Sequence, residues 1–388
     1  MTTTRIGLAD IGELAPEIAK YAGGVERQRR VPIEILELVR EAGYLRMAVP
    51  VQYGGANLSV PEVLRVIEEI SRADGAVGWT VGQIYIAQLI FAHFPVSTVE
   101  DIYADGPDVL GAGAVAPKGH ATRTQDGWRV SGQWPFVTGC ETASWVYLQC
   151  LEHDRDGPRL VEGGMPPLRM TLFPASEVEI LDTWNVLGLR GTGSHDIRVT
   201  KALCPQVRTC GLSDAVPDRG VAAMRITPRD QGGLVIAATA CGVAAGALDA
   251  LTLLASGGKR PAFSPRRLAQ SPVFQDQLGE TYMSLRAAQA LLTTEVELAE
   301  AAVTEGQAPE SLLRHRLRAT GPRVIALATS VIDDAHRLGG GSAVYDCSPL
   351  QRRLRDGHTV TQHFSAGRDF YAPLGGLLAG EDVDQGMF

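Results

Sequence analysis

The segment GLRGTGS (188–194) is the part of the chain with glycine spacing closest to that of a phosphate-binding loop. Its glycines follow a G-x-x-G-x-G pattern rather than the G-x-G-x-x-G pattern of dinucleotide-binding loops. The segment lies between two short apolar runs typical of strands, so no helix follows whose N-terminus would stabilise an anion. The spacing therefore favours a tight turn between strands over a phosphate site.

Metal chemistry has little support among the histidines and cysteines. Of the eight histidines, only His358 and His363 lie within five residues of each other. On a helix this separation is roughly 140°, so the two rings would diverge and would not share a metal ion. The six cysteines form no C-x-x-C pair, which argues against a zinc site and against a disulfide framework. We predict no metal, and reduced, buried thiols in a cytoplasmic protein.

The composition excludes several classes of protein. The chain has 388 residues, of which 45% are hydrophobic and 21% charged, as in globular rather than disordered proteins. Its 36 basic and 44 acidic residues give a net charge of −8, which disfavours binding to nucleic acid or to a membrane surface. Two uncharged stretches, 75–99 and 233–248, are interpreted as buried helices rather than membrane spans. The N-terminus lacks an export-signal pattern.

Three regions with different hydrophobic periodicity would position any site. Residues 1–107 have apolar residues at helical spacing and predict an N-terminal helical domain. Residues 108–215 predict an antiparallel β-sandwich or barrel, because short apolar runs alternate with turn residues. These runs are WRVSGQWPFV, WVYLQCL, LRMTLFP, VEILD and HDIRV. Residues 220–388 carry long apolar stripes, such as that from Leu285 to Val303, and predict a helical bundle. The expected fold is mainly α with a central β-domain.

Four longer segments form a pattern that spans nearly the whole chain. They are RADGAVGW (72–79), SGQWPFVTGCETASW (131–145), WNVLGLRGTGSHDIRV (184–199) and GGGSAVYDCSPLQRRLRDGHTVTQH (339–363). In this order they resemble the acyl-CoA dehydrogenase superfamily, and more closely its monooxygenase branch, the two-component (group D) flavin-dependent hydroxylases. The resemblance implies an N-terminal helical domain, an antiparallel β-domain and a C-terminal four-helix bundle that together bind a flavin.

The resemblance assigns a flavin-facing role to the strand WPFVT. In the family this strand lies along one face of the flavin ring, and its hydroxyl hydrogen-bonds near flavin N5. Here the hydroxyl belongs to Thr138, and Trp134, Phe136 and Val137 would form an apolar wall that excludes water. The alternative is a core strand that ends in a satisfied threonine. In the following segment, Thr192 and Ser194 are interpreted either as ligands or as turn residues.

A glycine run at a predicted helix end, Gly339, Gly340 and Gly341, leaves the backbone free to approach a ligand closely. Gly339 is predicted to cap the helix in a left-handed conformation. The family uses this loop to hold the distal part of a flavin bound mostly by a neighbouring subunit, which implies a homotetramer or at least a dimer. The alternative is a plain helix cap and turn. Arg266 and Arg267, in a basic loop, are candidates for the flavin phosphates.

The residues after Asp356 separate the two branches of the family. Many acyl-CoA dehydrogenases place a glutamate eight residues beyond this aspartate to abstract the substrate α-proton, and here Phe364 stands there. The segment IAATACGVAAGALDAL, where other dehydrogenases carry the base, contains only Asp249 as an acid. His363 stands where the monooxygenases keep a histidine that faces the flavin. With a pKa near ~6.5 it would deprotonate a phenol or amine, or stabilise a flavin hydroperoxide. The alternative is a capping or surface histidine.

The resemblance also places the helix after Trp79 over the substrate. The lining residues would be Gln83, Tyr85, Ile86 and Leu89. A histidine and a serine with which several family members grip a phenol are missing. A larger hydrophobic or polycyclic substrate, as in secondary metabolism, is therefore favoured over a simple phenol.

The implied function is a monooxygenase that hydroxylates or N-oxidises a hydrophobic or aromatic small molecule through a C4a-hydroperoxyflavin. No nicotinamide-binding βαβ unit is evident, so a separate reductase is expected to supply FADH2 or FMNH2. A dehydrogenase or desaturase on the same fold is the nearest alternative. A flavin-binding or flavin-free assembly protein without turnover is the alternative from another class.

Overall fold

A computed structural model describes residues 8–154, 157–159, 166–211, 220–304 and 310–383 of the chain. Helices come first, a sheet follows, and helices return, as the sequence predicts. The predicted domain boundary at residue 215 lies outside the described residues. The N-terminal helices are α1 (Leu8–Gln28), α2 (Ile33–Glu41), α3 (Val60–Ala73), α4 (Gly75–Phe91) and α5 (Val96–Ile102).

The described strands form one mixed sheet. They are β1 (Gly111–Arg123), β2 (Gly127–Val137), β3 (Trp145–Asp154), β4 (Gly157–Pro158), β5 (Leu168–Pro174), β6 (Glu179–Leu181), β7 (His195–Pro205) and β8 (Thr209–Cys210). Their order is β6–β7–β2–β1–β3–β5–β8, and β4 pairs with β3. The sheet curls around a core, because Cys204 Sγ of β7 lies 3.7 Å from Leu172 O of β5, although three strands separate β7 from β5 in the order of the sheet. Each predicted strand is confirmed, whereas β1 lies where no strand is predicted.

The prediction of a purely antiparallel sheet is wrong at one pairing. β1 and β3 run parallel, while the other strand pairs of the described chain are antiparallel. The reason is the path of the chain. β2 returns beside β1 as a hairpin, and residues 138–144 then cross to the opposite edge of β1, so that β3 starts in the direction of β1. No helix lies in this crossover, so it is not a βαβ unit.

The C-terminal helices enclose α6 and extend the core into the N-terminal region. They are α6 (Pro228–Ser256), α7 (Pro272–Thr304), α8 (Ser311–Gly339), α9 (Pro349–Val360) and α10 (Tyr371–Leu378). α6 packs against α8 and α9 on one side and against α3 and α4 on the other. The predicted stripe of α7 is confirmed, because Leu285, Ala288, Leu292, Val296 and Ala299 are buried in this shared core.

The two uncharged stretches are buried helices, as predicted. α4 forms residues 75–91 of the first stretch and is buried along most of its length, α5 begins within the last four residues of that stretch, and α6 contains the second stretch. In the described part of the chain, α6 is the one helix long and apolar enough to cross a membrane, but its most apolar window is 89% buried inside the protein. Burial of this kind is typical of the central helix of a helical core.

Candidate functional site

Two side chains from distant regions of the chain meet the indole of Trp79 on α4. Trp79 Nε1 donates a hydrogen bond to Thr138 Oγ1 at 3.1 Å. The imidazole of His363 meets the same indole edge-on, with ring centroids 5.6 Å apart and an interplanar angle of 80°. Thr138, directly after β2, and His363, after α9, are therefore brought to one residue of the N-terminal helices.

Local structure explains how each side chain reaches this position. The Asp74 carboxylate caps α4 and accepts from the first two free backbone N–H groups at 3.0 and 3.1 Å, which fixes the first turns that carry Trp79. His363 lies beyond the C-terminal end of α9, and its Nδ1 accepts from the backbone N–H of Ser365 at 3.3 Å. The imidazole therefore caps a short 3₁₀ turn at Phe364–Ala366 while its ring faces Trp79.

The electrostatic state of His363 differs from the sequence-based expectation. Burial of the ring lowers the pKa of His363 to about 4, because the surrounding protein disfavours the imidazolium. The prediction of a base with a pKa near the usual value is therefore wrong. With Nδ1 occupied as an acceptor, the neutral ring carries its proton on Nε2. His363 is a neutral hydrogen-bond donor at physiological pH.

Three hydroxyl groups form a continuous chain that starts at Thr138. Thr138 Oγ1 lies 2.7 Å from Ser194 Oγ, which lies 2.7 Å from Thr192 Oγ1. Thr192 Oγ1 in turn donates to Leu189 O at 2.9 Å. Thr192 and Ser194 are therefore connected to the site indirectly, by hydrogen bonds that lead to the Thr138 hydroxyl. The interpretation of GLRGTGS as a turn is confirmed, since β7 and no helix follows it.

The turn that carries these hydroxyls is clamped to α9. Asp356 Oδ1 accepts from the backbone N–H of Leu189 at 2.6 Å. Gly188 packs so closely against the backbone of Arg355 that a Cβ atom there would overlap the Arg355 carbonyl. Leu189 itself has a left-handed φ of 51°. These contacts fix the position of the hydroxyl chain relative to the bundle.

A buried charge cluster lies beneath this clamp. Burial raises the pKa of Asp356 to about 6, and the nearby Asp74 carboxylate raises it further, whereas the Leu189 N–H and the Arg353 and Arg352 guanidinium groups lower it. Arg353 is fully enclosed and donates to the carbonyls of Ser71 and Ala73 at the α3–α4 junction, at 2.8 and 2.7 Å. The cluster therefore ties α9, the turn and the start of α4 together.

We expect Asp356→Asn to change how stability depends on pH. The raised pKa means that the folded chain holds this proton more tightly than the unfolded chain does. The stabilisation from Asp356 is therefore complete below pH ~4 and is lost as the pH rises through about 6. Asparagine keeps the acceptor for Leu189 N–H but does not ionise. In urea unfolding, the free energy of unfolding of the variant should rise by roughly 1–3 kcal/mol relative to that of the wild type as the pH is raised from 4 to 7. A difference that stays constant across this range would contradict the burial of an ionisable Asp356.

The predicted apolar wall is only partly exposed. Phe136 has a left-handed φ of 64°, is 69% exposed, and meets Trp184 edge-on with centroids 6.1 Å apart. Trp134 and Val137 are fully buried in the core of the sheet. The prediction that these two side chains face a cofactor is therefore wrong. The register shift between Trp134 and Val137 is the physical reason, because it turns Phe136 outward alone.

The predicted substrate-lining residues also divide into partly exposed and fully buried side chains. Gln83 and Ile86 are half-buried and lie on the face of α4 that carries Trp79. Tyr85 and Leu89 are fully buried in the helical core, and the Tyr85 hydroxyl donates to Gln231 of α6. Their assignment as lining residues is wrong, since both side chains are enclosed in the helical core and neither lies on an open face.

The glycine run forms the end of α8. The left-handed residue that caps the helix is one position later than predicted. Gly339 is right-handed, with φ −64°, and packs against Leu350, whereas Gly340 has the left-handed φ of 54°. A Cβ atom at Gly340 or Gly341 would meet nothing within 4 Å. Close packing thus explains why residue 339 is glycine, and the left-handed φ explains why residue 340 is. Gly341 faces open space, and neither reason applies to it.

The basic residue that the structure places at this run is Lys259. Its Nζ donates to Gly339 O and to Ser342 Oγ. The side chains of Arg266 and Arg267 are exposed and form no ion pair with the described residues. A groove of about 470 Å³ lies beside Lys259, and its walls come from the end of α6 and the start of α9. Whether Arg266 and Arg267 contact phosphate stays a prediction.

Sequence reasoning did not single out Trp79, Asp356 or Lys259 as site residues. Trp79 and Asp356 lie in two of the segments that carry the family resemblance, RADGAVGW and the RLRD portion of the last segment. The resemblance is therefore the sequence feature that could have identified them. Lys259 lies in a loop without a recognisable motif, and only the structure places it beside the glycine run.

Two family models match the chain. The model described as acyl-CoA dehydrogenase, N-terminal domain, matches residues 13–94. The model described as acyl-CoA dehydrogenase, C-terminal domain, matches residues 234–367. The first match contains α4 with Trp79, and the second contains α9 and His363.

Individual proteins match over almost the full length. Indole-3-acetate monooxygenase of Pseudomonas putida is 29% identical over 359 residues, or 92% of this chain and 90% of that protein. The oxygenase component of the FADH(2)-dependent resorcinol hydroxylase of Rhizobium sp. is 29% identical over 366 residues, or 89% of this chain and 86% of that protein. The crystal structure of 3-HSA hydroxylase from Rhodococcus sp. RHA1 has a TM-score of 0.89 at 26% identity and covers 98% of each chain. The chain therefore belongs to the acyl-CoA dehydrogenase superfamily, in its branch of flavin-dependent monooxygenases.

Proposed function

We propose that this oxidoreductase is the oxygenase component of a two-component system. It takes reduced flavin from a separate reductase and uses O2 to hydroxylate or N-oxidise a hydrophobic or aromatic small molecule. The observation that carries the proposal is the cluster at Trp79, in which the Thr138 hydroxyl and the neutral His363 ring meet one indole. Within the described residues, no carboxylate hydrogen-bonds to any of these three side chains.

The residues present fit a reduced flavin. Phe136 offers an exposed apolar surface two residues before the Thr138 hydroxyl, which suits a flat ring with a polar edge. The Thr138 oxygen already accepts one hydrogen bond and retains a lone pair for a second donor. When bound, reduced flavin would supply the electrons that activate O2. Thr138 would orient it, and Phe136 would shield it from water.

The substrate would lie along the open face of α4. Trp79, Gln83 and Ile86 share this face, so it presents an indole, an amide and an aliphatic side chain. Ala87, near which several family members carry a histidine, is fully buried. These residues favour a mostly apolar ring system, and a polycyclic compound of secondary metabolism over a simple phenol. Two relatives, named for indole-3-acetate and for resorcinol, act on aromatic compounds.

The desaturase alternative lacks a base in the right place. Phe364, at the position of the dehydrogenase glutamate, is exposed. Asp249 forms a two-pronged ion pair with Arg72, with oxygen to nitrogen distances of 2.6 and 2.9 Å. The Arg72 guanidinium occupies both oxygens of this carboxylate, so neither is free to approach a substrate. Neither residue supports α-proton abstraction.

A single-turnover experiment tests the proposed function. Anaerobic protein loaded with reduced flavin is mixed with isotopically labelled O2 in the presence of indole, resorcinol or 2-naphthol. We expect one labelled oxygen atom in the product of at least one probe, with hydrogen peroxide in less than equal yield. Peroxide alone with every probe would contradict the proposal. Anaerobic bleaching of protein-bound oxidised flavin by an acyl thioester would support the dehydrogenase instead.

A homotetramer in the cytoplasm is part of the same proposal. The C-terminal half exposes large apolar side chains that a second subunit would cover; they are Leu253, Val273, Met283, Val344 and Tyr345. We expect light scattering at micromolar concentration to give a mass near four times the 41.4 kDa of one chain. Substituting aspartate for Val344 and Tyr345, next to the glycine run, should lower this mass. A monomer that binds flavin tightly would contradict the proposal.

A further inference from the structure

The hydroxyl chain between Trp79 and Leu189 has fixed ends. Trp79 Nε1 can only donate a hydrogen bond, and its partner at 3.1 Å is Thr138 Oγ1. Leu189 O can only accept, and Thr192 Oγ1 lies 2.9 Å from it. Between these ends each hydroxyl of Thr138, Ser194 and Thr192 has a single proton to donate. Thr138 can accept from Trp79 in either direction of the chain, so it is the contact of Thr192 with Leu189 O that determines the direction.

Assigning the protons in order gives one solution that satisfies each contact. Thr192 donates to Leu189 O, so its oxygen accepts from Ser194 at 2.7 Å. Ser194 has then used its proton, so its oxygen accepts from Thr138 at 2.7 Å. Thr138 thus donates inward and has no proton left for a ligand. Its oxygen presents only a lone pair outward.

The direction is protected by burial and by backbone anchoring. The exposed fractions of Thr138, Ser194 and Thr192 are 7%, 3% and 2%, so solvent has little access with which to reverse the chain. Leu189 O is held in place because Asp356 accepts from the N–H of the same residue. Reversal would leave two oxygens 2.9 Å apart at Leu189 without a proton between them.

We propose that Ser194 and Thr192 are positioning residues that make Thr138 a hydrogen-bond acceptor, and that they thereby select reduced over oxidised flavin. The inference rests on the proposed function and on the role that the family resemblance implies for Thr138, a hydrogen bond near flavin N5. N5 of reduced flavin carries a hydrogen and donates, whereas N5 of oxidised flavin accepts. An acceptor-only Thr138 pairs with the first and opposes the second with its own lone pair.

The test is the ratio of two dissociation constants, for oxidised and for reduced flavin. Both are measured anaerobically by titrating the full-length protein with FAD and FMN, so the readout does not depend on turnover. We expect the wild type to bind the reduced form at least about tenfold more tightly, the equivalent of one hydrogen bond. Ser194→Ala frees the Thr138 proton for oxidised flavin and should lower this ratio about tenfold.

Two further variants and two controls separate positioning from a structural effect. In Thr192→Val, Ser194 loses its acceptor and turns its proton towards Thr138, so the ratio should fall as in Ser194→Ala. Ser194→Thr keeps the hydroxyl and should keep the ratio. Thr142→Val removes a hydroxyl that donates to Gly139 O in the same loop, outside the chain, and should also keep it. Circular dichroism reports whether each variant is folded.

The outcomes distinguish failure of this inference from failure of the proposed function. A folded Ser194→Ala with an unchanged ratio, in a wild type that hydroxylates a probe compound, overturns the inference and leaves the proposed function standing. A wild type that binds oxidised flavin as tightly as reduced flavin also overturns it. If the wild type binds neither form, both proposals are wrong.

Discussion

Replacing His363 with alanine is expected to lower product formation by about 10²–10⁴-fold, the range typical of a positioned proton-transfer or donor group. His363 touches Trp79 edge-on and presents a neutral ring whose Nδ1 is held by the Ser365 N–H. Alanine removes the Nε2–H donor next to the site but leaves α9 and the capped α4 unchanged. Product and hydrogen peroxide should be quantified together, with the peroxide yield rising as product falls.

His358→Ala is the matched control for this variant. His358 lies on α9 five residues earlier, is exposed, and pairs with Asp333 Oδ1 at 2.8 Å. Its loss should leave product formation within about twofold, as for most surface substitutions. Because the pKa of His363 is lowered to about 4, its loss of charge should produce no inflection in the rate between pH 6 and 8. Unchanged product and peroxide in His363→Ala would return this residue to a purely capping role.

The sheet shows what local pattern does and does not predict. Branched and aromatic residues are frequent in β2, β3, β5, β6 and β7. The intrinsic strand propensity of these segments therefore agrees with their place in the sheet. β1 has the sequence GAGAVAPKGHATR, in which Val115 and Thr122 are the only β-branched residues, yet it lies at the centre of the sheet. Its pairing with β3 shifts between Ala114 and Gly119, which accommodates Pro117. Tertiary context, and not propensity, makes this segment a strand.

Helix α4 shows a different reason for failure. Hydrophobic residues surround its whole circumference, so periodicity does not indicate which face is open. Tyr85, Ile86 and Leu89 are equally plausible on sequence grounds, and only their burial in the folded helical core separates Tyr85 and Leu89 from Ile86. The resemblance supplied Thr138 and His363 as candidates. It did not supply Trp79 as the residue that joins them, because their contact spans three separate regions of the chain.

The end of β2 combines both problems. Trp134 and Phe136 are two residues apart, so regular alternation would place both side chains on one face of the sheet. The left-handed φ of Phe136 and the register shift before Val137 break this alternation. Neither feature has a sequence signal, since non-glycine residues seldom adopt a left-handed φ. The two aromatic residues consequently have different roles, although the sequence assigns them the same one.

We expect Trp134→Ala to lower the free energy of unfolding by about 3–5 kcal/mol, as for other large-to-small changes in a core. The indole is fully buried, and its Nε1 donates to Gln149 O at 2.7 Å. A Cβ atom at Gly119 of β1 or at Gly132 of β2 would overlap the ring, so glycine on both strands makes room for it. Alanine would leave a cavity and an unpaired carbonyl in the curled sheet. Urea unfolding monitored by circular dichroism measures the loss.

Phe136→Ala is the matched aromatic substitution and should give the reverse pattern. Its ring is mostly exposed, so the free energy of unfolding should change by less than about 1 kcal/mol. If this ring covers one face of the flavin, the dissociation constant for reduced flavin should rise about tenfold or more, in line with a lost aromatic contact. Trp134→Ala, measured at a temperature where it is still folded, should bind flavin more nearly like the wild type. Equal effects of both substitutions on flavin affinity, with no difference in stability, would contradict the assignment of Trp134 to the core and of Phe136 to the cofactor.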